Sequence, residues 1–509
     1  MIYVILGQTA SGKTDVALKL CRKYNLPLLG SDVYQMYKEM KVGTAKPSLE
    51  ELEGIEYHFI NDISVMDEIS VKEYQDKARK ILDKYLLEGR DVVISGGTFL
   101  YLRALLYPYS FEDEEDFSYE QYDCYSSEEL FNRLKNIDEE AADKLHVNNR
   151  RRVIRALAIA ESGVKKSERE FKVDKYLYPC RIFNIEIDKE VGNSKIDKRV
   201  DEMVSEGLFE EANELFTKFG TKLNAFKAIG YKEIIEGREN NSSKEEIIER
   251  IKIDTRQYAK RQRTFLRHQF KNIVSLKKDE IFDYISFDIE RRKRNKASIT
   301  PTKLNKIENS KVMVVGVGGV GSILASSLVR LGVASIVLVD RDEVDVSNLN
   351  RQIAYVKKDI SRRKVEALKD HLLEIDPHFS VVTHDASFSK DLVEDDVDFV
   401  FDCIDDVEAK CDIYEICKEK NIKVIHATGS GLRMDASKYF YGSLNDTSEP
   451  LAKKFKKVLL SRGEVDLSKV NVAYSKEVPQ KKLTSYIGSN VACPNAEGLT
   501  MLSFFILNI

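Results

Sequence analysis

MIYVILGQTASGKT, residues 1–14, decides the fold of the first half. Residues 2–6 (IYVIL) are an unbroken apolar run closed by Gly7, which reads as a parallel strand buried on both faces. The next eight residues, Gly7-Gln8-Thr9-Ala10-Ser11-Gly12-Lys13-Thr14, form a complete phosphate-binding loop at the strand's end. Its glycines let backbone N–H groups turn inward around phosphate oxygens. The helix that must follow adds its positive N-terminal end. Lys13 supplies a point charge, and Thr14 is placed to hold Mg²⁺.

A second strand of the same kind is 91–95 (DVVIS), closed by Gly96-Gly97. Helical spacing is expected over 70–87. Residues 107–129 are acidic and tyrosine-rich, as suits an exposed connection. From 130 to 270 the pattern is helical and turns basic, with Arg150-Arg151-Arg152, Arg155 and Lys260-Arg261-Gln262-Arg263.

A second glycine motif, Gly316-Val317-Gly318-Gly319-Val320-Gly321, follows the strand 312–315 (VMVV). Asp340 ends the next strand, 336–339 (IVLV), which suits a dinucleotide fold with the aspartate on a ribose hydroxyl. Further strands are expected at 397–401 and 422–425. The run from Asp340 to Gln352 (DRDEVDVSNLNRQ) is not that of a dehydrogenase. It places Asn348, Arg351 and Gln352 after the ribose aspartate, which suits a triphosphate. Lys364 adds a further cation, and Asp405 in Asp402-Cys403-Ile404-Asp405-Asp406 is placed to hold Mg²⁺. Between the two motifs, 281–311 reads as a basic linker leading into the second domain, and separation near residue 290 is expected to leave each half intact.

The bulk properties agree. The chain has 509 residues, too many for one ordinary core. A net charge of −4 gives no overall basic character, so nucleic-acid contacts must be local patches. The seven cysteines form no Cys-x-x-Cys pair, so neither a zinc ribbon nor a thioredoxin motif is expected. No leader and no bilayer-length apolar run is read, so a cytoplasmic, reducing setting is expected.

Beyond the phosphate loop, five segments follow in order: 30–48 (GSDVYQMYKEMKVGTAKPS), 96–101 (GGTFLY), 146–157 (HVNNRRRVIRAL), 228–233 (AIGYKE) and 255–262 (TRQYAKRQ). In these the chain resembles the tRNA dimethylallyltransferases over roughly residues 1–270. The resemblance implies transfer of a dimethylallyl group from its diphosphate to N6 of the adenosine 3′ of a tRNA anticodon, with the phosphate loop cradling diphosphate and no ATP hydrolysed. It implies Asp32 as the base, Thr98 as a transfer-site donor and Lys13 as a catalytic cation. For tRNA it implies Asp32, Val33, Tyr34, Gln35, Thr98, Arg151, Arg152, Arg155, Arg256, Lys260 and Arg261. A base extruded from its stack needs an aromatic platform, for which Tyr258 and Phe265 are expected. The chain departs from the family at Val33, where Ser is common, and at Phe99, where Gly is usual; both bear on the prenyl pocket.

The second half, about 285–509, resembles the ubiquitin-activating-type adenylyltransferases. Segments 435–452 (DASKYFYGSLNDTSEPLA), 474–479 (YSKEVP) and Gly488-Ser489 resemble the tRNA threonylcarbamoyladenosine dehydratases within them. That implies ATP-dependent activation of a carboxylate and ring closure, with Arg351 and Lys364 neutralising phosphates and Arg294 loosely matching an arginine that precedes the fold. The superfamily is commonly dimeric, so a homodimer through this half is an expectation the resemblance carries. Activation of a sulfur-carrier protein and a non-catalytic nucleotide module are the alternatives, and Cys493 is a thiol to place.

The expected architecture is α/β throughout. A P-loop NTPase-like parallel sheet (1–129 and 226–280) carries a helical tRNA-binding insertion (130–225). A Rossmann-like adenylyltransferase domain (312–509) follows. Mg²⁺, ATP and dimethylallyl diphosphate are the expected small molecules, tRNA the partner, and no membrane.

Overall fold

The computed structural model describes residues 1–108, 119–143, 145–161, 175–480 and 491–509. Gly488-Ser489 and most of the acidic stretch after residue 108 lie outside the described residues.

The first half is built on a six-stranded parallel sheet. Its strands are β1 (Ile2–Leu6), β2 (Leu28–Gly30), β3 (Tyr57–His58), β4 (Val92–Ser95), β5 (Cys180–Ile185) and β6 (Ile273–Leu276), in the order β3-β2-β4-β1-β5-β6. All five residues of β1 are buried. One face packs on the helix Val71–Leu87, whose Ser70–Glu73 capping box fixes its start. The other packs on Lys13–Tyr24 and Lys278–Ser298. The stretch 130–225 is not wholly helical: β5 pairs directly with β1. Its apolar residues sit among charged neighbours, which masks the strand pattern.

The second half holds a seven-stranded sheet of β7 (Lys311–Val315), β8 (Ser335–Val339), β9 (Ser380–His384), β10 (Phe399–Asp402), β11 (Lys423–Ala427), β12 (Tyr439–Ser443) and β13 (Asn471–Ser475). Their order is β12-β13-β11-β10-β7-β8-β9. Every pairing is parallel except β12 on β13. The helices Gly321–Leu331 and Ala492–Asn508 cover one face.

The basic stretch 281–311 is two helices, Lys278–Ser298 and Pro301–Glu308, running into β7. Its charges are partly interior: Asp288 and Arg292 are buried. Arg292 Nε and Nη2 donate to the Glu308 carboxylate at 2.6 Å each, and Nη1 donates to Tyr3 Oη and Asp91. Asp376 of the second half accepts from Arg181 Nη2, Arg291 Nη2 and Tyr284 Oη of the first. The expected cut near residue 290 therefore falls inside a helix whose side chains join the halves.

Candidate active sites

The first site lies where β1, β2 and β4 end. Ala10 (φ 60) and Gly12 (φ 91) take left-handed backbone conformations, which wind residues 7–12 into the loop before helix Lys13–Tyr24. Lys13 Nζ donates to Gln8 O at 2.9 Å. Burial pulls its pKa down to about 8, helped by the nearby Arg199 charge.

Asp32 follows β2. Its carboxylate accepts from Tyr34 N at 3.2 Å. Burial pushes its pKa up, opposed by Lys13, its backbone donors and Arg199. Thr98 follows β4: its N–H donates to Ser31 O at 2.8 Å, and its Oγ1 accepts from Val33 N at 3.2 Å. These bonds lock the ends of β2 and β4 together. The fit requires glycine at 96, since a Cβ there would come within 2.4 Å of the Ser31 carbonyl carbon.

Lys13, Thr14, Asp32, Tyr34 and Arg199 line one cavity of about 330 Å³. Helix Lys244–Gln269 closes one side of it. Tyr258 Oη and Gln262 Nε2 both donate to Gly97 O, and Thr9 N donates to Gln262 Oε1. A cleft lined by Lys38, Lys41, Lys46, Lys195 and Lys198 opens beside the loop.

The residues expected to contact tRNA divide. Tyr34, Gln35 and Arg261 line the cavity, and the Arg261 guanidinium lies 5.8 Å from the Tyr258 ring centre. Arg151, Arg152, Arg155 and Lys260 are exposed. Arg256 instead pairs with Asp197 at 2.5 Å and Glu249 at 3.0 Å. Phe265 is partly buried, packs on Phe99 and Phe270 at the edge of the core, and does not line the cavity. Phe99 is buried there as the first residue of helix Phe99–Leu106, and Val33 packs on the same core. Neither lines the cavity, so neither departure from the family shapes it directly. Arg199 and Lys227 also line it, and sequence reasoning missed both.

The second site lies where β7, β8 and β10 end. Gly316 has φ 86, and a Cβ there would meet the Cys403 backbone at 3.0 Å. A Cβ on Gly321 would fall 1.9 Å from Gly316 O. Gly318 faces Gln352, and Gly319 faces Arg351 and Pro494. Asp340 holds the turn by accepting from Val317 N and Asp342 N at 2.8 Å each. Asn348 Oδ1 accepts from Asp345 N, and Arg351 Nη1 donates to Ser347 O. Lys364 Nζ donates to Asp342 at 2.8 Å. Gln352 is buried with no donor to its Oε1 among the described residues, which fits a nucleotide hydroxyl or amine. Asp405 is exposed on the loop after β10.

Arg294 is not near this turn. Its neighbours Arg291 and Asn295 bond Val329 O, Arg330 O and Leu331 O, at the far end of helix Gly321–Leu331. Cys493 is buried.

Two buried groupings were missed. Lys410 Nζ and His426 Nδ1 contact Asp402 Oδ2 at 2.9 and 2.6 Å. Glu497, in the helix whose Pro494 faces Gly319, accepts from Thr428 N and Gly429 N at 2.9 Å each. Burial pushes its pKa up to about 7.

Comparison with known proteins matches each half to a family. The model described as IPP transferase matches residues 35–269, and the ThiF family matches 291–456. A tRNA dimethylallyltransferase of Exiguobacterium sibiricum is 38% identical over 279 residues, 53% of this chain and 87% of the relative. A solved eukaryotic dimethylallyltransferase acting on tRNA is 25% identical with a TM-score of 0.50, covering 58% of this chain and 78% of that one. The E. coli tRNA N6-threonylcarbamoyladenosine dehydratase in complex with AMP is 25% identical with a TM-score of 0.41, covering 43% of this chain and 93% of that one. The chain therefore belongs, through its N-terminal half, to the IPP transferase family, and carries a ThiF-family domain in its C-terminal half.

Proposed function

We propose that the chain modifies tRNA at two sites. The first half transfers dimethylallyl from its diphosphate to N6 of the adenosine 3′ of the anticodon. The loop N–H groups, Lys13 and Arg199 hold the diphosphate, which leaves as the N6–carbon bond forms. Asp32 takes the proton from the attacking amine. Its raised pKa makes it a stronger base than an exposed carboxylate while the cations keep it ionised. The Thr98 hydroxyl accepts from Val33 N, which leaves its proton free to donate to the diphosphate. The observation that carries this reading is the sharing of one cavity by Lys13, Arg199 and Asp32. Labelled dimethylallyl diphosphate offered with tRNA and with AMP tests it: label on tRNA supports the reading, and label on AMP alone refutes it.

The second half adenylates the threonyl carboxylate of threonylcarbamoyladenosine with ATP, releasing diphosphate. The carbamoyl group then attacks the acyl-adenylate, closing a ring and releasing AMP. Arg351 and Lys364 face the triphosphate, and Asp340 the ribose. AMP release that depends on threonylcarbamoyl-modified tRNA tests this half; no release would leave nucleotide binding alone, and release with a sulfur-carrier protein would replace the substrate.

Mg²⁺ fits both sites as a phosphate-borne ion. No group of three or more potential metal-ligating side chains occurs among the described residues. Thr14 and Asp405 would each be a minor share of the ligands, with phosphate and water supplying the rest. Bound there, the ion neutralises phosphate charge.

A further inference from the structure

The two sheets meet at the edges where their strands begin. On the first, that edge carries Asp91 just before β4, Arg181 as the second residue of β5, and Lys175 upstream of β5. On the second it carries Glu308 before β7, Asp376 before β9 and Asp398 before β10. Arg292 joins Asp91 to Glu308, Arg181 bonds Asp376 at 3.0 Å, and Lys175 pairs with Asp398. Asn309 Nδ2 donates to Tyr176 O at 3.2 Å. A small cavity at this seam is lined by Cys180 and Asn272 from one half and Ser335 and Ser380 from the other, at or next to the starts of β5, β6, β8 and β9.

Each site lies at the opposite edge of its own sheet. Gly7, Asp32 and Gly96 follow the ends of β1, β2 and β4; Gly316, Asp340 and Cys403 follow the ends of β7, β8 and β10. β1 and β7 have five residues each. At ~3.3 Å per residue each contributes about 16 Å, so the sites are on the order of 30 Å apart or more, on opposite sides of the seam. Buried ion pairs of the kind found at the seam are costly to break, so the arrangement is fixed rather than hinged.

Each end has its own cations. Lys260 and Arg261 are exposed at the first cavity, which Arg261 lines, and Arg341 and Arg363 are exposed beside Asp340 and Lys364 in the second half. We infer that the chain presents two separate RNA-binding faces, one at each end, and holds two anticodon stem-loops at once rather than passing one adenosine between its sites. This rests on the proposed tRNA function of both halves.

The test uses the full chain with two differently labelled anticodon stem-loop RNAs, without dimethylallyl diphosphate and with a non-hydrolysable ATP analogue. One RNA carries unmodified adenosine 3′ of the anticodon; the other carries threonylcarbamoyladenosine there. The expected result is two RNAs per chain by native mass spectrometry. The Kd of each should change by less than about two-fold when the other is saturating, below the roughly five-fold that marks coupled sites. The double variant Lys260→Glu/Arg261→Glu should weaken only the first RNA, and Arg341→Glu/Arg363→Glu only the second. Mutual displacement, or one pair of charge reversals weakening both RNAs, would overturn the inference while leaving both activities standing. If the modified RNA fails to bind even alone, the tRNA reading of the second half falls, and the inference with it.

Discussion

Arg292 grips Glu308 with two parallel hydrogen bonds of 2.6 Å, and both side chains are almost wholly buried. The pair joins the last helix before β7 to the underside of the first sheet, and a second carboxylate, Asp91, completes the group at 3.3 Å. Such a group is costly to break, because removal of one partner leaves uncompensated charge in the interior. Arg292→Ala is expected to lower stability by ~3–5 kcal/mol. Chemical denaturation followed by probes in each half checks this. Loss confined to one half would contradict the coupling.

Asp32→Asn keeps the shape of the side chain and removes the base. Prenyl transfer should fall by ~10²–10⁴-fold with little change in KM for the diphosphate. ATP-dependent AMP release by the second half should be unchanged, which separates a lost base from a lost fold.

The pH profile follows from the same cavity. Asp32 must be ionised to accept a proton, and its pKa is raised, so activity should fall on the acid side at a higher pH than an ordinary carboxylate gives. Lys13 must be charged to hold diphosphate, and its pKa is lowered to about 8, so kcat/KM should fall as pH rises through that value. Bound diphosphate favours the ammonium, so the alkaline limb of kcat should move upward. Steady-state rates across pH measure both limbs, and an alkaline limb equal in kcat and kcat/KM would count against Lys13 as the diphosphate cation.

Gly96→Ala sets a methyl against the Ser31 backbone. It should push Asp32 from Thr98 and cost prenyl transfer on the order of 10²-fold. Thr98→Ala, which removes only a hydroxyl, should cost less. The ratio of the two variants' kcat values reads the difference.

Glu497 gives a pH-dependent stability. Its folded pKa of about 7 lies above the ordinary 4.5, so the folded state binds the proton more tightly than the unfolded state. Stability from this group is therefore fully present below about pH 4.5 and declines as pH rises through 7. Glu497→Gln should equal the parent near pH 4.5 and exceed it above pH 7 by up to about 3 kcal/mol. Thermal melts at the two pH values decide it; a parent more stable than the variant at pH 8 would mean that the carboxylate has a partner favouring its charge.

The sequence carried the sites further than the frame that holds them. The strands at 2–6 and 312–315 are legible because an unbroken apolar run ending in glycine has few other readings. Both phosphate-binding turns follow from their glycine spacing. β5 was hidden by charged residues of both signs in and after it, such as Arg181, Glu186 and Asp188, yet it is the strand that brings helix Lys189–Ser205, and so Arg199, over Asp32. No local motif marks Arg199, since only the chain crossing makes it a neighbour. Lys278–Ser298 looked like a solvated linker because charge runs usually face water. Here Asp288 and Arg292 face inward, satisfied by partners more than 80 residues away in sequence as well as by Glu308. Glu497 did leave a trace, as the one acid in an otherwise apolar and polar C-terminal helix.

The most direct test of the account is nucleoside mass spectrometry of unmodified tRNA incubated with the full chain, Mg²⁺ and labelled dimethylallyl diphosphate. The expected product is labelled dimethylallyladenosine 3′ of the anticodon, lost in Asp32→Asn and retained in Arg351→Ala. Label that appears only on free AMP, or that survives Asp32→Asn undiminished, would contradict it.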